Sequence, residues 1–544
     1  MAVRDATNTA VPRPVVPLDV VEDYAAQNDA CARPLLRQVT DRETGQTQRV
    51  VIACGATRES MCASCAEKAR RLRMQQCMDG WHLDEDPLRG SADDEPGDDS
   101  EIDTMPKKVR RVRSTRRRGD VVDLPRLPVE DRSVGQTFMA PDGTTYRPSM
   151  FVTLTLGSYG KVVAGKPGRQ VRDAGCPVDA GRYDYRRAAI EAMFFTRLFD
   201  RWMQNLRRCA GFRVQYFGAI EPQRRLAPHI HLAIRGAIPR RVLRAVTAAT
   251  YLQLWWPSFD TPVYVDESPR WDRRNRTYRD PDGGVALPTW EEALDALDAN
   301  ADAQPAVVMR FGRQVDIKGI IAPSEDANRS VRYLTKYLTK AVAETYVDPD
   351  RPADGYEAHI DRLHAELRFL PCSPECANWL RYGVQPKDPE PGLRPGWCAS
   401  KAHDREHLGV GGRRVQVSRH WSGKTLKEHK ADRAAVVREV LAEAGVEVPD
   451  TDRMASSALA ADGKPRFLWE DLRASAADYA HQVLASIVEA RRWRRQYAEA
   501  KWRVSQPGSR AGPVETNSAT TQEPSTTTAT TAPRPPDSQP HQVA

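Results

Sequence analysis

Hydrophobic and polar positions repeat with two different periods between residues 145 and 345, and each change of period marks a new element. Phe151-Val-Thr-Leu-Thr-Leu156 alternates with period two, the signature of a strand. Residues 186–207 place Ile190, Met193, Phe194, Leu198 and Trp202 at helical spacing, so an amphipathic helix follows. Phe212, Val214, Tyr216, Gly218 and Ile220 alternate again as a second strand ending at Glu221, and a turn from Pro222 to Pro228 leads into a third. Residues 239–254 read as a helix, 258–305 as a polar insertion, Val307 to Phe311 as another strand, and the stretch around Ser330–Thr345 as a closing helix. Strands in hairpin order with helices to one side predict an α+β sandwich over an antiparallel sheet.

Around that segment the pattern is weaker. At 544 residues, two to four domains are expected. Residues 1–30 read as a flexible arm, 31–80 as a Cys-rich module, 81–133 as a charged linker, 346–425 as a Cys/His module and 426–505 as helices. The Thr/Pro-rich tail at 506–544 is expected to be disordered. Lys and Arg number 81 against 73 Asp and Glu, a net charge of +8 that matters less than its placement. Residues 84–103 are acidic and 107–118 almost continuously basic; the basic block suits phosphate, as either a nucleic-acid arm or a solvated linker. The N-terminus lacks a charged start followed by an apolar run, and no stretch approaches about 18 apolar residues, so a cytoplasmic protein without membrane contact is expected.

The third strand, within Arg224–Gly236, carries His229-Ile230-His231. Alternation puts both imidazoles on one face and Ile230, Leu232 and Ile234 on the other. Paired across an antiparallel ladder, Glu221 would face them at about 5 Å. Two imidazoles and a carboxylate make a three-ligand set with open positions for a substrate oxygen, although a satisfied pair of histidines would read the same. The segment Val331-Arg-Tyr-Leu-Thr-Lys-Tyr-Leu-Thr-Lys340, laid on a helix, puts Val331, Leu334, Leu338 and Val342 on one apolar stripe. Tyr333 and Tyr337 share another side, flanked by Lys336 and Lys340. Cations lower a phenol's pKa and stabilise an anionic transition state, so this arrangement suits attack on phosphate.

The ten cysteines, in a reducing compartment, read as ligands or core residues. Cys62-x-x-Cys65 with Cys31 and Cys54 has the composition of a structural Zn²⁺ site, and Cys372-x₃-Cys376 with Cys398 and His403 that of a second. His407 competes with His403, and buried unliganded thiols are the alternative reading of both groups. Cys77, Cys176 and Cys209 have no evident partner. Ser422-Gly-Lys-Thr425 imitates the end of a phosphate-binding loop, but Ser418 stands where that loop needs glycine. No ATPase is expected, which leaves duplex unwinding to a host helicase.

FVTLTL at 151–156, PHIHL at 228–232 and YLTKYLTK at 333–340 resemble, in order, the three motifs of HUH endonucleases that initiate rolling-circle replication. Within these, EPQRRLAPHIH, CSPECANWLRYGVQPK and HLGVGGRRVQVSRHWSGKTL make the chain similar to the replication initiators of actinomycete plasmids and integrative conjugative elements. The resemblance spans roughly residues 31–80 and 145–425. It implies an HUH domain at 145–345, flanked by small zinc modules and a helical C-terminal region. It also implies site-specific nicking of origin DNA, single-stranded or in a hairpin, through a 5′-phosphotyrosyl intermediate with strand transfer. Glu221, His229 and His231 would hold Mg²⁺ or Mn²⁺ on the scissile phosphate. In the resembling single-tyrosine initiators the nucleophile lies between lysines, as Tyr337 does between Lys336 and Lys340, and a glutamate stands four residues earlier, where this chain has Tyr333. Phage-type initiators carry tyrosines at both places. Tyr337 is therefore expected to make the first nick and Tyr333 to assist or complete the closing transfer. A conjugative relaxase or transposase would use the same chemistry. A zinc-dependent DNA-binding regulator without catalysis would leave the off-stripe tyrosines unexplained.

Overall fold

The structure is a computed structural model that describes residues 17–81, 83, 118–134, 138–143, 145–165, 173–322, 324–347, 354–412, 414–445, 458–472 and 475–505. The acidic block, all but the last residue of the basic block, and the tail beyond 505 lie outside the described residues.

The centre is an antiparallel sheet in the order Val415–Val417, Tyr216–Pro222, Pro228–Arg235, Thr145–Leu156, Val307–Ala322 and Tyr251–Leu254, with Phe138–Met139 paired to Thr145–Leu156. Both faces are covered. Met150, Val152, Leu154, Ile230, Leu232 and Ile234 point into the larger core, against helices Tyr185–Met193, Phe195–Ala210, Arg240–Ala249 and Asp354–Phe369. Phe217, Ala219, Ala233 and Ile320 point the other way, against helices Ala63–Trp81 and Glu325–Thr335. The mixed α+β architecture and the antiparallel sheet agree with the alternation in the sequence.

Several boundaries differ. The helix expected over 186–207 breaks at Phe194, whose φ of −106° leaves the helical range, giving two helices. The strand expected at Val307–Phe311 runs on to Ala322 through an irregularity between Phe311 and Val315, which the apolar run alone did not show. The 258–305 insertion contains a hairpin, Arg270–Asp272 with Thr277–Arg279, and a helix from Trp290 capped by Thr289 and Glu292. The helix expected through Thr345 stops at Thr335, so Val342 enters the larger core while Val331 and Leu334 stay in the smaller one.

Segments distant in sequence share cores. Strand Val415–Val417 extends the central sheet, and Leu363, Cys376, Trp379 and Leu408 belong to the larger core, so the second Cys/His group is built onto the body of the sheet. The end of the expected linker runs along helix Phe195–Ala210, with Leu127 N bonded to Arg208 O. Residues 18–27, expected as part of a loose arm, form a helix whose Val21 and Ala25 pack on Val483 and Ile487 of the helix Ala476–Ser505. The region expected to be purely helical also supplies strand Phe467–Asp471, which pairs with Leu35–Asp41 beside Thr47–Ile52.

Helix Ala63–Trp81 links these parts. Trp81 Nε1 donates to Ser149 Oγ at 2.7 Å, and Trp421 Nε1 donates to Gln76 O at 3.1 Å. Gly80 lies against Trp421 so closely that an added Cβ would fall 2.2 Å from Trp421 Nε1 and 2.6 Å from its carbonyl oxygen. Alanine normally stabilises a helix by about 1 kcal/mol over glycine. Here Gly80→Ala should destabilise by about 1–3 kcal/mol through overpacking, read as a lower midpoint in urea unfolding.

Candidate metal centre and tyrosine turn

The hairpin that carries the polar cluster is fixed by its turn. Gln223 N bonds to Ala227 O at 2.8 Å and Leu226 N to Gln223 O at 2.8 Å, with Leu226 held at φ +62°. A leucine in that region is strained, and burial of its side chain in the larger core offsets the cost. The resulting register sets Glu221 opposite His229 and Ala219 opposite His231. Glu221, His229 and His231 therefore share the sheet face beneath helix Glu325–Thr335, as the alternation predicted.

All three side chains are buried, and one ligand atom from each lies within 4.8 Å of the others. The two Nε2 atoms are 2.8 Å apart, and Glu221 Oε2 is 4.0 Å from His231 Nε2. Two cis ligands of an octahedral ion at about 2.1 Å stand about 3 Å apart, so the imidazoles converge as such a pair would. Thr153 Oγ1, from the neighbouring strand, lies 2.8 Å from His231 Nδ1 and fixes which ring nitrogen faces the cluster. Phe151 stacks on His231 with ring centroids 5.8 Å apart. Among the described residues, Glu221 Oε1 has no hydrogen-bond partner although buried. Burial pushes the Glu221 carboxyl up to about 7, against the pull of Arg414 and Lys336, and pushes His229 down to about 4 and His231 down to about 3. The imidazoles are thus neutral near pH 7 with lone pairs available, and Glu221 adds a buried oxygen donor beside them. This donor set of nitrogen and oxygen fits a divalent ion.

The tyrosines meet this group differently. Tyr333, on the helix, brings its hydroxyl to 3.3 Å from His231 Nε2, while its side chain remains partly exposed. Burial, followed by the nearby Glu221 and Tyr337, pushes this phenol up, the reverse of the lowering expected from the lysines. Tyr337 lies beyond the helix, in a turn where Lys336 N bonds to Tyr333 O and Lys340 N to Tyr337 O. Lys336 Nζ sits 4.9 Å from the Tyr337 ring centroid, and Tyr346 packs on that ring at 6.2 Å. The two phenols therefore do not stack on one helical face.

Sequence reasoning missed three neighbours. Tyr346 Oη donates to Pro222 O at 3.0 Å, just after Glu221, and Arg224 lies over its ring. Thr153, one position of an alternating strand, brings its Oγ1 to His231 Nδ1. Arg414 Nη1 donates to Tyr337 O and Lys340 O. Thr153 and Arg414 lie within stretches that carry the family resemblance, but each of the three neighbours arrives from another element, and its contact shows only in the folded chain.

The thiol groups assemble as the spacing suggested. Cys31, Cys54, Cys62 and Cys65 present their sulfurs within 4.8 Å of one another, as do the ligand atoms of Cys372, Cys376, Cys398 and His403. Cys31 and Cys62 sulfurs are 4.0 Å apart, and Cys372 and Cys398 sulfurs 3.8 Å apart, close to the roughly 3.8 Å edge of a tetrahedral Zn–S site. His403 Nδ1 lies 2.8 Å from Leu367 O, which turns Nε2 toward Cys376, whereas His407 pairs with Asp404 instead. Both groups could hold zinc. Cys77, Cys176 and Cys209 are buried in the hydrophobic cores. The phosphate-loop imitation is a helix start: Thr425 and Glu428 form a capping box, and Ser422 Oγ bonds His429 Nε2 at 2.8 Å.

Among the described residues, fold and site define an α+β protein with a buried carboxylate–histidine cluster beside Tyr333, and two thiol-rich groups of metal-binding composition. A family model described as "RepSA: Replication initiator protein, pSAM2" matches residues 17–490, and the chain belongs to that family of plasmid replication initiators. No curated protein and no solved structure matches the chain. Among the described residues no helix is long and apolar enough to cross a membrane.

Proposed function

We propose that this initiator is an HUH-type nicking endonuclease and strand transferase that opens origin DNA for rolling-circle replication. The observation that carries the reading is the convergence of Glu221, His229 and His231 on one point, with the Tyr333 hydroxyl 3.3 Å from His231 Nε2. A Mg²⁺ or Mn²⁺ ion held there would polarise a scissile phosphate. A tyrosine oxygen attacks the phosphorus, the bond to the 3′ oxygen breaks, and the chain keeps the 5′-phosphate as a phosphotyrosyl ester. The free 3′-hydroxyl then primes synthesis, and a second attack by a hydroxyl on the ester restores the phosphodiester.

In this reading Tyr337, between Lys336 and Lys340, makes the first nick, and Tyr333 assists or completes the closing transfer. The lysines balance charge on the pentacoordinate phosphate. Unwinding of the duplex falls to a host helicase in the cytoplasm. The reading is tested by plasmid maintenance: this gene with a short origin should replicate a plasmid otherwise unable to do so. Intact nicking without replication would favour a relaxase or transposase.

The two thiol groups are proposed to hold one structural Zn²⁺ each. Elemental analysis after extensive dialysis should find about two tightly held zinc ions per chain. Folded protein free of zinc would contradict this. Cys376→Ser should remove one ion and greatly lower the melting temperature, because three remaining ligands hold zinc far more weakly.

A further inference from the structure

Once the helix ends at Thr335, the carbonyls that follow lose their helical partners and need others. Lys340 N reaches Tyr337 O at 3.3 Å, and Arg414 supplies the other donor. Its Nη1 donates to Tyr337 O at 2.9 Å and to Lys340 O at 2.5 Å. The same side chain donates from Nε to Ile220 O at 3.0 Å, and its own backbone carbonyl accepts Ile220 N at 2.8 Å. Arg414 therefore grips both polar groups of the residue preceding Glu221 and, with the same guanidinium, the turn that bears Tyr337. Glu59 N on Thr339 O at 2.7 Å and Glu406 O on Val342 N at 2.9 Å also hold the turn, but neither Glu59 nor Glu406 lies on the Glu221 strand.

We propose that Arg414 is a positioning residue that registers the Tyr337 turn against the Glu221 strand, and so sets the distance between that phenol and the metal cluster. The role rests on the tyrosine chemistry proposed above. A planar guanidinium can span three carbonyls in fixed directions; a lysine ammonium at this position cannot reproduce the fork. Misplacing a nucleophile by about 1 Å costs about a hundredfold in rate. Tyr333 should be indifferent to Arg414. It sits on a regular helix anchored by Val331 and Leu334, and it receives no bond from the guanidinium.

The test compares wild type with Arg414→Lys in three measurements. The first is peptide mapping of the covalent adduct formed with labelled single-stranded origin DNA and Mn²⁺. The second is Mn²⁺ binding alone, and the third is amide hydrogen exchange. The expected result is an adduct at Tyr337 reduced about a hundredfold, with any adduct at Tyr333 and the Mn²⁺ affinity changed less than about twofold. Exchange should accelerate about tenfold across 336–341 and stay unchanged across 325–335, as loss of about one net hydrogen bond would produce. Undiminished adduct at Tyr337, or equal loosening of both segments, would overturn the role. So would a parallel fall in Mn²⁺ affinity, which would make Arg414 a general support of the site. Absence of any wild-type adduct would instead count against the nicking chemistry, and the exchange pattern would then decide whether Arg414 holds the turn.

Discussion

Replacing His231 with alanine should reduce strand cleavage by about a thousandfold or more, because a lost ion removes several kcal/mol of charge stabilisation from the transition state. Affinity for origin DNA should barely change, since phosphate contacts elsewhere carry most of it. His231 lies between His229, Thr153 and Tyr333, so its imidazole is the hub of the cluster. His229→Ala should behave alike. Glu221→Ala should weaken metal binding and cleavage as well, because Glu221 is the one carboxylate in the cluster. A melting temperature near that of wild type separates these outcomes from unfolding. If His231→Ala nicks at the wild-type rate in saturating Mn²⁺, the metal assignment is wrong.

The second large effect divides the tyrosines. Tyr337→Phe should eliminate the covalent adduct, whereas Tyr333→Phe should still nick but release closed single-stranded circles poorly. Tyr337 has Lys336 against its ring and its turn clamped by Arg414, while Tyr333 stands at His231, where its hydroxyl can exchange a proton or follow as the second nucleophile. Denaturing gels of each variant with labelled oligonucleotide read the adduct, and circle release is followed on the same gels. The reverse pattern would exchange the roles, which the nearness of Tyr333 to His231 would then explain.

The central sheet was legible because its strands alternate cleanly. Residues 229–234 bury both faces, yet the odd positions carry His229, His231 and Ala233 while the even ones carry Ile230, Leu232 and Ile234, so the face of the cluster could be read directly. The pairing of Glu221 with His229 followed from a short connection between two strands. The thiol groups were legible as well, because Cys-x-x-Cys and Cys-x₃-Cys are local signals and the outlying ligands were few.

What escaped the sequence depended on contacts between distant elements. Helical spacing persists beyond Thr335, so the pattern predicts helix to Thr345; the turn found there instead bonds to distant segments, with Arg414, 77 residues after Tyr337, on its carbonyl and Glu59 N on Thr339 O. The strand 415–417 is too short to show alternation and acquires its identity from pairing with Tyr216–Pro222. Helix 18–27 and strand 467–471 likewise depend on partners from opposite ends of the chain. Their apolar positions are too few to announce a buried face by themselves.

The most direct test of the account is the covalent intermediate. Wild-type protein, a library of labelled single-stranded oligonucleotides covering the origin, and Mn²⁺ are combined and resolved on a denaturing gel. A protein–DNA adduct should form with one oligonucleotide in particular, vanish when EDTA removes the ion, and be absent from the Tyr333→Phe/Tyr337→Phe double variant. No adduct across the whole library, or an undiminished adduct in the double variant, would contradict metal-dependent tyrosine nicking by this chain.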